Sequence, residues 1–272
     1  MVTITGFADE ISGDLEKQME VLESVGVSHI EFRGVWGKNV LKLTDDELGR
    51  VKKLLDARGF RISSIGSPIG KFKMQDDFQT EIGNMKRACE IAGFLNAPYI
   101  RIFSYFVAEG EHAAYREEVI SRLKQLIHLA EQYQVTLVME NESGVYGNTD
   151  DRCLELLTAC DSPRLRLAFD PGNFIMNGVK PVSQALPKLQ PYLEYVHVKD
   201  AQSEKRIFVP AGEGDGEFPA FIQHLKQNRF SGYLSIEPHL QKYLPEQDGP
   251  GRFVYAVKAL KKLLQEASIA WN

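Results

Sequence analysis

The stretch VTLVME, at residues 135–140, alternates apolar side chains with a second set that ends on the carboxylate of Glu140. A period of two is typical of a β-strand, because successive side chains point to opposite faces. A segment with helical spacing follows at about 150–160. A strand followed by a helix is the repeating unit of a parallel sheet, and the same unit recurs on both sides of this stretch.

Eight such units account for the chain of 272 residues. The other predicted strands are VTITGF (2–7), SHIEFR (28–33), FRISSI (60–65), PYIRIF (98–103), RLRLAFD (164–170), LEYVHVK (193–199) and YLSIE (233–237). The predicted helices cover about 12–25, 44–57, 78–94, 113–133, 150–160, 181–189, 217–228 and 250–267. No low-complexity linker divides them. The sequence therefore predicts an α/β fold, a single (β/α)8 TIM barrel over residues 1–272 with its active site at the C-terminal rim of the strands.

Side-chain parity in the last four strands supports this barrel. If the polar residue at each strand end faces the interior, the alternate positions face the helices. These outward positions are all large and apolar: Leu137, Met139, Leu165, Leu167, Phe169, Val196, Val198, Leu234 and Ile236. The inward positions include Thr136, Ala168, Tyr195, Tyr233 and Ser235. The polar strand ends and the apolar pattern thus agree on which side chains face the barrel interior and which face the helices.

Four polar residues occupy equivalent positions at or near the ends of predicted strands five to eight: Glu140, Asp170, His197 and Glu237. A single acid at a strand end is more often a helix cap or a solvated loop residue. Four in consecutive units face one rim, and burying them without a cation costs several kcal/mol. Three carboxylates and one imidazole favour one divalent ion, with Mn²⁺ expected first and Mg²⁺, Co²⁺ or Zn²⁺ compatible.

Five phrases along the chain resemble the xylose isomerase-like sugar isomerase/epimerase family: GFADEIS (6–12), LVMENE (137–142), FDPGN (169–173), YVHVKD (195–200) and SIEPH (235–239). The resemblance implies a TIM barrel whose metal ligands are Glu140, Asp170, His197 and Glu237. It also implies that Glu140 and Glu237 act as the acid/base pair. A metal that binds a carbonyl and a neighbouring hydroxyl stabilises an enediolate, so that one glutamate removes a proton and the other returns it.

The chain departs from the family pattern at two positions. Asn173 and Glu142 stand where many members have histidine, which puts the transfer of any one member's substrate in doubt. Both residues are expected to bind substrate together with Lys199, Arg101, His239 and Glu31. Lys199 would either donate to a substrate oxygen or pair with Asp200, and His239 would contact substrate or lie in a loop. The glycine-rich run 211–216 is expected to form a mobile rim loop.

These observations favour a metal-dependent isomerase or epimerase of a small sugar, keto-sugar or polyol derivative. A lyase or dehydratase of a keto-sugar or keto-inositol, using the same site, is the first alternative. A nuclease of the endonuclease IV type is disfavoured, because that chemistry uses a histidine-rich trinuclear zinc site and this chain has six histidines and a formal net charge of −5. A metal-free sugar-binding barrel is a further alternative, which the intact ligand set disfavours.

Composition sets the remaining expectations. The three cysteines, Cys89, Cys153 and Cys160, fall in predicted helices without CxxC spacing, as in a reducing compartment. No apolar run approaches the length of a membrane span, and the N-terminus lacks the pattern of a signal peptide. A cytoplasmic protein is expected, with a small-molecule substrate and neither nucleic acid nor membrane as partner. The family resemblance also implies a homodimer or homotetramer.

Overall fold

The computed structural model describes residues 1–272. Its central sheet has eight parallel strands: β1 (Thr3–Gly6), β2 (His29–Phe32), β3 (Arg61–Gly66), β4 (Tyr99–Ile102), β5 (Thr136–Glu140), β6 (Leu165–Phe169), β7 (Leu193–Val198) and β8 (Tyr233–Ile236). Hydrogen bonding joins them in the order β1-β8-β7-β6-β5-β4-β3-β2. The outer members of this order, β1 and β2, contact each other, so that the sheet curls into a nearly closed barrel. The predicted (β/α)8 TIM barrel is confirmed.

Helices follow the strands and surround them: α1 (Leu15–Ser24), α2 (Asp45–Ala57), α3 (Phe78–Leu95), α4 (His112–Gln132), α5 (Asp150–Cys160), α6 (Pro171–Met176), α7 (Leu186–Leu189), α8 (Phe218–Gln227) and α9 (Gly249–Glu266). Side chains fix where the first two begin. Asp14 accepts the N–H of Lys17 at the start of α1, and Thr44 forms a reciprocal capping box with Glu47 at the start of α2. Such caps satisfy backbone donors that the helix leaves free.

The core has two separate parts, as strand parity predicts. All nine outward-facing apolar residues of β5 to β8 belong to one large cluster, between the strands and the helices. Inside the barrel, Val138, Ala168 and Tyr195 form a small second cluster, with Tyr99 and Tyr233 packed against it. The three tyrosine rings lie 5.6–6.1 Å apart and fill the barrel toward the N-terminal ends of the strands. The polar strand ends are therefore left to line the opposite end.

Three features near the C-terminal rim have no counterpart among the predicted elements. Helix α6 begins directly after Asp170, with Pro171 in its first turn. One hairpin pairs Gly34–Val35 with Lys38–Asn39, and another pairs Asp200–Gln202 with Ile207–Val209. Segments this short have no recognisable hydrophobic period, which is why pattern alone misses them. No helix in this structure combines the length and the apolar character that crossing a bilayer requires.

Candidate metal centre

Four side chains converge at the C-terminal end of the barrel. Glu140 ends β5, Asp170 follows β6, His197 lies in β7 and Glu237 follows β8. Each offers one ligand atom, and these four atoms all lie within 4.8 Å of one another. All four residues are buried, with at most 3% of any of them exposed. Ligands about 2.0–2.3 Å from one ion have comparable mutual separations, so this set can share a single cation.

Three buried atoms of this set lack hydrogen-bond partners, namely Asp170 Oδ2 and both ring nitrogens of His197, Nδ1 and Nε2. Two of them, Asp170 Oδ2 and His197 Nδ1, lie 3.9 Å apart. The ammonium of Lys199 lies 2.9 Å from the same oxygen but without the alignment of a hydrogen bond. A buried polar atom without a partner costs roughly 1–3 kcal/mol, and a cation bound to both atoms would remove that cost. The donor chemistry and these two atoms fit a divalent metal.

Cationic side chains contact the carboxylates of the site. Arg101 Nη1 donates to Glu140 Oε2 at 2.7 Å, and Lys199 Nζ donates to Glu237 Oε2 at 2.5 Å. Arg33 Nη1 also reaches Glu237, at 3.2 Å from Oε1. Three positive charges thus lie against the acids of the cluster, and they offset part of the repulsion among those acids.

These charges separate the pKa values of the acids. Burial raises the pKa of Glu140, but the charges of His197 and Arg101 outweigh it and lower that pKa below its ordinary value. For Glu237, burial is likewise outweighed, chiefly by Lys199, and the pKa lies well below the ordinary value. Burial raises the pKa of Asp170, and Lys199 only partly offsets it. The two glutamates are therefore the acids that the protein itself keeps ionised.

His197 is held between acids on both sides of its ring. Burial lowers the pKa of this imidazole, but Glu140 and Glu31 raise it well above the ordinary value. Phe7 packs edge-on against the ring, with centroids 5.2 Å apart. The pKa of His197 is raised because the nearby buried carboxylates stabilise a positive charge on the ring. A bound metal would supply that positive charge instead.

The predicted substrate residues take different places around this cluster. Lys199 and Arg101 contact the ligands directly, as described above. Asn173 Nδ2 donates to Glu140 Oε1 at 3.0 Å, so it orients a ligand carboxylate from within α6. Glu142 lies further out and pairs with Lys71 at 3.0 Å. These contacts bring four of the six residues to one mouth of the barrel.

The other two predicted residues differ in depth. His239 is 35% exposed at the rim, where its Nε2 lies 3.1 Å from Glu10 Oε1 and 3.5 Å from Glu237 Oε1. Glu31 is fully buried and contacts the other ring nitrogen of His197, with its Oε2 3.3 Å from Nε2. His239 is therefore open to a substrate, whereas Glu31 lies behind the histidine.

The suggested pairing of Lys199 with Asp200 is wrong. Lys199 turns inward to Asp170 and Glu237. Asp200 instead accepts four backbone N–H groups, from Ala201, Gly212, Gly214 and Gly216, at 2.8–3.0 Å. The glycine-rich rim loop is thereby fastened to the end of β7 by one buried carboxylate.

Three residues of the site were not singled out from the sequence. Arg33 binds Asp9 Oδ2 at 2.7 Å and Glu10 Oε1 at 3.4 Å, in addition to Glu237. These contacts join the ends of β1, β2 and β8. The phrase GFADEIS contains both acids, but a motif shows no partner, and Arg33 is more than two hundred residues from Glu237 along the chain.

Aromatic side chains cover the polar cluster. Phe208, in the hairpin after β7, lies with its ring centroid 5.0 Å from Lys199 Nζ and 5.5 Å from the ring of His239. Arg101 lies over Phe103 at 4.4 Å. Such walls exclude water, which strengthens the charge interactions beneath them.

Comparison with known proteins agrees with this architecture. Residues 19–263 match the family model described as xylose isomerase-like TIM barrel. The chain belongs to this family. Among solved structures, an IOLI protein with a bound zinc atom superposes with a TM-score of 0.79 at 18% identity, covering 98% of this chain and 99% of that one. The predicted family is confirmed.

Two curated relatives that match most of the chain are named as enzymes. An inosose dehydratase of Clostridium beijerinckii is 23% identical, over 96% of this chain and 94% of the relative. A probable L-ribulose-5-phosphate 3-epimerase of Mycoplasma pneumoniae is 24% identical, over 85% of this chain and 76% of the relative. The expectation of an enzyme is confirmed. The name of one relative denotes an elimination and that of the other an epimerisation, which are the two reaction types that the sequence left open.

Proposed function

We propose that this protein is a divalent-metal-dependent isomerase or epimerase of a small sugar, keto-sugar or polyol derivative. The observation that carries the proposal is the pair of buried glutamates, Glu140 and Glu237, whose pKa values are lowered and whose oxygens share one candidate cation position. An ionised carboxylate beside a substrate carbon is a base. Two of them at one site allow a proton to be removed and another to be returned.

The metal would be held by Glu140, Asp170, His197 and Glu237, and it would polarise a substrate carbonyl as a Lewis acid. Manganese is the proposed ion, because three carboxylates make a mostly hard donor set. Mg²⁺, Co²⁺ and Zn²⁺ fit the same ligands less specifically. Elemental analysis of the purified protein would identify the resident ion.

The surrounding cations have two tasks in this proposal. Arg101 helps to keep Glu140 ionised and Lys199 helps to keep Glu237 ionised, and both offer donors to substrate oxygens. Arg101 Nε is buried without a hydrogen-bond partner, so it has a free donor in the site. Asn173 keeps Glu140 in place through its hydrogen bond to Oε1, which leaves Oε2 to Arg101.

Replacement of each glutamate tests the mechanism. Glu140→Gln and Glu237→Gln are expected to lower kcat by about 10²–10⁴-fold, which is the usual contribution of a positioned acid or base. Glu194→Gln is the matched control, because Glu194 is a strand glutamate like Glu140 but lies at the start of β7, where its Oε1 accepts from Tyr99 Oη at 2.6 Å. Full activity of both glutamine variants on the true substrate would contradict the proposal.

A dehydratase is the second candidate, and the inosose dehydratase relative supports it because its similarity extends over nearly the whole chain. In elimination, the proton is removed from the same carbon but a β-hydroxyl departs as water. Proton NMR in D2O, with a panel of ketoses and keto-inositols and added metal, separates the two reactions. Isomerisation gives a product of unchanged composition apart from deuterium exchange, whereas elimination gives an unsaturated or deoxy product with one water fewer.

A further inference from the structure

Glu31 lies wholly inside the barrel, on the side of His197 that faces away from the other ligands. Its Oε2 is 3.3 Å from Nε2 of the imidazole. The other ring nitrogen, Nδ1, lies 3.2 Å from Glu140 Oε1 and 3.9 Å from Asp170 Oδ2. The two nitrogens of one ring therefore face two different sets of carboxylates, one at the candidate metal position and one behind it.

A histidine can bind a metal only through a nitrogen that carries no proton, so the other nitrogen of the neutral ring must carry it. At His197 the proton belongs on Nε2 if Nδ1 is the ligand atom. Nε2 makes no aligned hydrogen bond in this structure, and the carboxylate within ion-pair distance of it is that of Glu31, at 3.3 Å. We propose that Glu31 is a positioning residue that holds this proton on Nε2 and thereby aims the Nδ1 lone pair at the metal. This inference rests on the proposed metal centre.

Glu31 is itself held by a hydroxyl group of the barrel interior. Ser235 Oγ donates to Glu31 Oε2 at 2.6 Å. Beside it, Ser63 Oγ lies 2.9 Å from Tyr195 Oη and 2.8 Å from Thr5 Oγ1. The carboxylate therefore cannot turn away from the imidazole without losing its buried partner Ser235.

The backbone also directs this side chain. The pairing of β2 with β3 shifts register between Ile30 and Glu31. An irregularity of this kind re-aims the side chains that follow it and is frequent beside functional sites. A carboxylate that is fully buried, has one oxygen without a partner and is directed at a ligand histidine is costly for stability alone. A carboxylate, a histidine and a metal in series are the usual arrangement in metalloproteins.

The first test measures metal affinity rather than turnover. Metal-free protein is titrated with Co²⁺, and binding is followed by visible absorption. Glu31→Gln is expected to weaken Co²⁺ binding by about 10–100-fold, as loss of such partners usually does. Glu81→Gln is the matched control, because Glu81 is also fully buried but accepts from Gly70 N at 2.7 Å. Its affinity is expected to equal that of the unaltered protein.

The outcomes separate this inference from the proposed function. If the unaltered protein binds no Co²⁺, the metal centre itself is wrong. If it binds and Glu31→Gln binds equally well, only the role of Glu31 is wrong. Should Glu31→Gln fail to fold, Glu31→Asp retains the charge at a shorter reach and is expected to bind with intermediate affinity, and unchanged affinity would overturn the inference.

The second test needs no variant. In protein labelled with ¹⁵N-histidine and loaded with Zn²⁺, the ring signals of His197 report which nitrogen carries the proton. We expect the tautomer protonated on Nε2. Protonation on Nδ1 would overturn the inference, because Glu31 would then face a nitrogen that has no proton to give.

Discussion

The buried carboxylate of Asp200 should control how firmly the rim loop is held. Its Oδ1 accepts from the N–H groups of Ala201 and Gly216, and its Oδ2 accepts from those of Gly212 and Gly214. In Asp200→Asn one oxygen remains as an acceptor, but the other becomes an amide NH2 that faces two donors. Two of the four hydrogen bonds are therefore lost whichever way the amide turns.

Hydrogen bonds to a charged group contribute roughly 1.5–3 kcal/mol each. Losing two should lower the free energy of opening the loop by about 3–6 kcal/mol, which corresponds to roughly 10²–10⁴-fold faster amide exchange. We expect this in the peptide that contains residues 200–216, measured by hydrogen–deuterium exchange and mass spectrometry. The barrel strands should exchange as before, because the loop lies outside them.

Loosening the rim loop in Asp200→Asn should also lower enzymatic activity. Phe208 is in the hairpin that begins at Asp200 and packs against Lys199, so a loosened hairpin uncovers the site and should raise KM more than it lowers kcat. Asp215→Asn is the control within the same loop, since Asp215 is exposed and its side chain bonds only to Ser203. Equal exchange rates in Asp200→Asn and the unaltered protein would refute the assignment of Asp200 as the clamp.

Two further predictions concern the metal and pH. Mn²⁺ at about 100 times its Kd should stabilise the fold by about 2.7 kcal/mol, which raises Tm by roughly 5–10 °C for a domain of this size; EDTA should reverse the shift, and Asp170→Asn should reduce it. His112 is buried with neither ring nitrogen hydrogen-bonded, and burial together with the charge of Arg152 lowers its pKa. Protonation therefore favours the unfolded chain, and this loss of stability should begin as pH falls below the ordinary histidine value of about 6.5. Urea titrations of His112→Phe should lack that part of the slope between pH 6.5 and 5, and a slope equal to that of the unaltered protein would contradict the reasoning.

Much of the fold follows from the sequence because barrel strands have a strict physical pattern. Alternation in 135–140 predicts β5 within one residue, since a strand with one face toward helices must place its apolar residues at every second position. Helix α2 was located equally well, because Thr44 and Glu47 form a local cap that needs no tertiary information. Strand alternation and helix caps depend on neighbouring residues only, so a single sequence is enough to predict them.

The candidate ligands could also be predicted from the sequence. In a barrel of repeated strand–helix units, residues about one unit apart along the chain lie close together at the rim. The role of Arg33 could not be predicted, because Arg33, Asp9 and Glu237 follow three different strands and no spacing rule links them. For Lys199, the sequence left open a contact with substrate or a pairing with Asp200, and the pairing is wrong because Lys199 contacts Asp170 and Glu237. Parity predicts that it points inward, but only the structure shows that Asp200 is already occupied by backbone donors.

The packed tyrosines Tyr99, Tyr195 and Tyr233 have a consequence for turnover. They pack across the barrel interior near the N-terminal ends of the strands, which leaves the C-terminal rim as the route to the candidate site. Product must therefore leave through the same opening by which the next substrate molecule enters. Product still seated there excludes new substrate, and product inhibition should therefore be competitive.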